Sequence, residues 1–65
     1  MAKFFKCANG GFVNCDQVTW AGTHSENALI AVFIYRGGGE RATISFDTAA
    51  EAQAEITRFV EFANG

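Results

Sequence analysis

The run Ala28-Leu29-Ile30-Ala31-Val32-Phe33-Ile34-Tyr35 is the strongest element signal in the chain: eight apolar residues, rich in β-branched and aromatic types. It is too short for a typical helix and bounded by turn residues, so it predicts a buried strand over about residues 28–36. Gly37-Gly38-Gly39 predicts a turn. Residues 40–46 then alternate, with Ala42, Ile44 and Phe46 on one side and Arg41, Thr43 and Ser45 on the other. With Arg36 placed opposite Glu40, Ile34 meets Ala42, Val32 meets Ile44 and Ile30 meets Phe46. Cross-strand packing favours such apolar pairs, and this is the expected register.

From Asp47 the period lengthens. Thr48 and Glu51 have capping-box spacing, which predicts a helix beginning at about residue 49. Ala52, Ile56, Phe59, Val60 and Ala63 follow at one-face spacing through about residue 63. Upstream, Lys3 to Ala8 reads as a strand stopped by Asn9-Gly10-Gly11, a hairpin signal. A second extended stretch covers 11–22, kinked near 15–16. The expected fold is therefore α+β over residues 1–65: an antiparallel β-meander of about four strands, with one C-terminal amphipathic helix packed on one face.

The 28–36 strand is apolar on both sides. In the expected register the Ile30, Val32 and Ile34 side receives the helix. Leu29, Phe33 and Tyr35 then face the other way, beside Arg41, Thr43 and Ser45. Phe62 is a second misfit, lying off the helix stripe near Glu55 and Arg58. Two readings stay open. The sheet curls so that Trp20 and the first strand cover that second side, or Leu29, Phe33, Tyr35, Arg41 and Phe62 form an interface with another chain.

Size bears on the choice. A core of 65 residues rarely supplies more than about 3–5 kcal/mol without a staple. A partner subunit is one such staple, and a two-fold dimer is the commonest closed arrangement. The net charge of -2 comes with five scattered basic residues rather than a basic stripe, so nucleic acid is not the expected partner. The alternative is a nucleic-acid or small-ligand module stacking a base on an aromatic sheet face of Phe33 and Tyr35 beside Arg41. The eight-residue apolar run is far short of the roughly 20 residues a spanning helix needs. Lys3-Phe4-Phe5-Lys6 lacks the apolar core of an export signal, so no membrane and a cytoplasmic, reducing location are expected.

Little catalytic chemistry is suggested. Cys7 and Cys15 do not fall opposite each other in any register the Asn9-Gly10-Gly11 turn allows, so free thiols are expected. With His24 they lack the spacing of a paired-cysteine zinc site. His24 reads as a solvated loop residue. Asp47 and Glu51 sit where a helix N-terminus favours acids. No catalytic residue, metal ligand or cofactor is expected.

Gly11-Phe12-Val13-Asn14-Cys15-Asp16-Gln17-Val18, the apolar strand, Gly38-Gly39-Glu40 and the late Asp47-Thr48 helix with Glu51-Ala52 resemble a pattern of short bacterial proteins similar to FlbD of flagellar operons. The resemblance runs through most of the chain and implies a small sheet with a terminal helix. It carries over no functional residue. The combined expectation is a non-enzymatic protein-interaction module, self-associating through the second face of its central strand.

Overall fold

The computed structural model describes residues 3–65; Met1 and Ala2, the start of the stretch without an export-signal pattern, lie outside the described residues. In chain order come β1 (Phe4–Lys6), β2 (Phe12–Asn14), a 3-10 turn (Cys15–Gln17), β3 (Val18–Thr23), β4 (Ile30–Tyr35), β5 (Arg41–Ser45) and α1 (Ala49–Asn64). The fold is α+β, with antiparallel strands and one C-terminal helix, as expected. The strands form two sheets rather than one meander: a β1–β2 hairpin and a three-stranded sheet ordered β3-β4-β5. The division falls at the expected kink. There the Asn14 side chain accepts the Asp16 N–H at 3.0 Å and caps the 3-10 turn, so β3 leaves in a new direction.

The expected β4–β5 register is wrong by one residue. Ile34 pairs with Arg41, Phe33 with Ala42, Val32 with Thr43 and Ala31 with Ile44. The turn takes four residues, Arg36 to Gly39, because Arg36 is drawn out of the ladder. Its N–H donates to the Gln17 carbonyl at 2.6 Å, and its guanidinium donates to the Asp16 carbonyl at 3.3 Å. Tyr35 closes the hairpin instead, its N–H donating to Glu40 at 3.1 Å. Gly37 and Gly38 hold φ of 94° and 74°, a left-handed pair that side chains disfavour.

A one-residue slip exchanges the two faces of a strand. The helix therefore covers the Ala31 and Phe33 side of β4, not the Ile30, Val32 and Ile34 side. Phe33 is 0% exposed, the largest fully buried side chain, and its ring stands 5.0 Å from Phe59 in an edge-on contact. Phe5, Cys7 and Val13 of the hairpin region complete this core with Ile44 and Ile56. β1 thus packs on the Phe33 side of β4, the side that the curled-sheet reading had it cover, and shares that side with the helix.

Thr48 caps the helix: the Glu51 N–H donates to its hydroxyl at 3.2 Å, and that hydroxyl donates in turn to the Glu51 carboxylate at 3.0 Å, in place of the backbone N–H of a full capping box. The helix stripe is turned relative to the expected one. Ala52, Ile56 and Phe59 are buried, but Val60 is largely exposed and Glu55 takes a buried place. The hairpin explains this. One Glu55 carboxylate oxygen accepts the Ala8 N–H at 2.7 Å, and the other pairs with Arg58. Arg58 lies over the Phe5 ring at 5.0 Å, and Phe62 packs on Phe5 with ring centres 5.7 Å apart. The off-stripe residues Glu55, Arg58 and Phe62 are where α1 meets the hairpin.

Candidate interaction surface

The three-stranded sheet has one covered face and one open face. Pairing aligns Trp20, Ile34 and Arg41 in one row of the open face, and Gly22, Val32 and Thr43 in the next. Ile30 and Ser45 form a third pair. Arg41 is the only charged side chain at these positions.

Gly22 shapes this face. A Cβ there would come within 2.8 Å of the Trp20 ring, so the indole lies across the glycine. The ring shelters Val32, which is 2% exposed although it belongs to the open face. Trp20 itself remains 48% exposed. Its position depends on a bulge in β3 between Val18 and Trp20, which puts both Trp20 and Gly22 on the outer face. Trp20 therefore lies over the Ile30, Val32 and Ile34 side of β4, not over the Leu29, Phe33 and Tyr35 side that it was expected to cover.

The five residues expected to form an interface do not come together. Phe33 is core, and its burial removes it from any surface. Leu29 is exposed at a loop end, where its N–H donates to the Asn27 side chain. Tyr35 is half-buried on the helix side, Arg41 lies on the open face and Phe62 lies on the helix beside Lys3 and Phe5. Sequence reasoning missed Trp20, Ile30 and Ile34. The signal was present in Trp20-Ala21-Gly22, where a small residue lies two places from an aromatic on the same side of a strand.

A second surface was also missed. Phe4 and Phe12 point outward from the hairpin, Phe12 being 64% exposed. With Tyr35, Asn14 and Gln17 they line an open groove of about 680 Å3, rimmed by Arg36 and Glu40. Their pattern was legible, since Phe4 and Phe12 flank the inward Phe5 and Val13 in strict alternation.

Cys7 and Cys15 are free thiols at opposite ends of the hairpin. Burial pushes the Cys7 thiol above the usual range, helped by the nearby Glu55 charge. Burial also raises Cys15, against the opposing pull of Lys3. His24 is half-buried, not freely solvated, and its Nδ1 accepts the Glu26 N–H at 3.0 Å in the β3–β4 loop. Among the described residues no three His, Cys, Asp or Glu side chains gather closely enough to hold a metal ion. Among the same residues no helix is long and apolar enough to cross a membrane. In comparisons with known proteins, no family model, curated protein or solved structure matches the chain.

Proposed function

We propose that this chain is a non-enzymatic protein-interaction module that self-associates through the open face of its three-stranded sheet. The observation that supports this reading is the group of Trp20, Ile34 and Ile30 on a face that no other element among the described residues covers. Two copies placed face to face would bury these side chains between sheets, the aligned packing of β-sandwiches. A chain of this size gains from such burial more than a larger domain would. The test is mass by light scattering for the wild type and for Ile34→Ser. An oligomeric wild type and a folded, smaller Ile34→Ser species support the reading. A wild type that is monomeric at submillimolar concentration overturns it.

A second reading rests on the groove of Phe4, Phe12 and Tyr35. Its volume of about 680 Å3 lies within the range of small-ligand sites. It replaces the expected aromatic platform, because Phe33 is buried. Titration with a proline-rich peptide and a single-stranded oligonucleotide, read by NMR shifts at Phe4 and Phe12, tests it. The -2 charge favours the peptide.

A further inference from the structure

The open face of one subunit is small. With β3 and β4 six residues long, three strands give a footprint of roughly 20 by 14 Å. Even with corrugation this falls short of the roughly 800 Å2 per partner of a standard interface. Self-association through this face alone would be weak.

The sheet has two edges, and they differ. β3 carries a bulge, one of the devices that discourage edge pairing. β5 is regular along its whole length and has no proline, lysine or bulge. The direction of its free backbone groups follows from the hairpin. Tyr35 donates to Glu40 at one end and Phe46 donates to Leu29 at the other. Antiparallel ladders alternate, so residues 40, 42, 44 and 46 bond inward to β4. Arg41, Thr43 and Ser45 turn their N–H and C=O groups outward, and all three residues are exposed. No turn or loop backbone among the described residues bonds to them.

We infer that a second copy of this chain adds at the β5 edge, antiparallel and about a two-fold axis through Thr43, giving one six-stranded sheet. This rests on the self-associating reading above and adds a second joint to it: the edge contact pairs two copies side by side and leaves their widened open face for the face-to-face contact. The sequence of β5 fits itself in that register. Thr43 stands opposite Thr43 of the second copy, a favourable cross-strand pair, and each Arg41 stands opposite Ser45, so the like charges stay apart. On the helix side, Ala42 of each copy meets Ile44 of the other. Three pairs of outward residues exchange two backbone hydrogen bonds each. The two open faces become one continuous surface of twice the footprint, with a Trp20 towards each end.

Thr43→Cys and Arg41→Cys test the register under mild oxidation, with the linked peptides identified by mass so that Cys7 and Cys15 do not interfere. Directly opposed residues of a hydrogen-bonded pair lie about 5.5 Å apart at Cα, within disulfide range. The expected result is a link between the two copies of position 43 in most of the Thr43→Cys protein, and none between copies of position 41. Thr43→Lys, which sets two ammonium groups face to face, is expected to halve the mass while leaving the circular dichroism unchanged. A wild type that is oligomeric, with no position-43 link and a Thr43→Lys protein of undiminished mass, overturns the β5 joint and leaves self-association standing. A monomeric wild type without the link overturns both.

Discussion

Phe33 and Ile34 are neighbours in β4, equally apolar, and they face opposite environments. Phe33 is sealed between Phe5 and Phe59, whereas Ile34 lies half-buried between Trp20 and Arg41 on the face without a cover. Hydrophobicity does not distinguish them. What separates them is the number of residues in the β4–β5 turn, and that number is set by Arg36 bonding across to the Cys15–Gln17 turn. A polar contact outside the sheet therefore chooses which apolar face becomes the core.

The contrast predicts a hierarchy of effects. Phe33→Ala should cost about 3–5 kcal/mol, the range for deleting a buried aromatic ring, and leave the chain largely unfolded. Ile34→Ala should cost about 1 kcal/mol in a monomer, in line with partial burial. Chemical denaturation of both variants checks the pair. Equal losses would break the distinction between the faces.

Next comes the tie between helix and hairpin. Glu55→Ala leaves the Ala8 N–H without its acceptor and Arg58 without its carboxylate, and should cost about 1.5–3 kcal/mol. Glu55→Gln keeps an acceptor and should lose less, which separates the hydrogen bond from the charge. Thr48→Ala removes the helix cap over the covered face and should cost about 1 kcal/mol in the same assay.

Gly22→Ala probes the open face with little expected change in stability. The new methyl group would displace the indole, so the emission of the chain's single tryptophan should shift to the red. Unchanged emission would show that Trp20 does not rest on Gly22. The smallest effect concerns the thiols. Both folded pKa values are raised, so the folded state holds these protons more tightly than the unfolded state does. Their contribution to stability is complete below the ordinary thiol pKa and declines as pH rises from there through the folded values. Denaturation midpoints in alkaline buffer should fall less for Cys7→Ser than for the wild type, relative to each protein at neutral pH.

The parts of the fold legible in the sequence were those fixed by local chemistry. Thr48 and Glu51 marked the helix start, Asn9-Gly10 and Gly37-Gly38 marked the turns, and Asn14-Cys15-Asp16 marked the kink. The β4 register was not legible, because an apolar partner awaited β5 on either side of the strand. Phe33 against Ala42 and Ala31 against Ile44 suit that ladder as well as the alternative. The helix stripe misled at Val60 and Glu55 for a related reason. The hairpin adds a second packing direction to α1, and periodicity along the helix does not encode it. Arg41 falls beside Leu29 and Tyr35 only in the wrong register, and Phe62 lies off the helix stripe because it packs on Phe5 of the hairpin, so the expected patch scatters across the molecule.

The hydrogen bond from Ala8 to Glu55 also bears on the order of events during synthesis. It joins residues 47 positions apart. A two-stranded hairpin is marginal alone in water, so β1 and β2 emerge from the ribosome long before their support exists. That support includes Phe59 and Phe62 as well as Glu55, all in α1. The first strands are therefore held only once α1 has been made, so that hairpin and helix become ordered together.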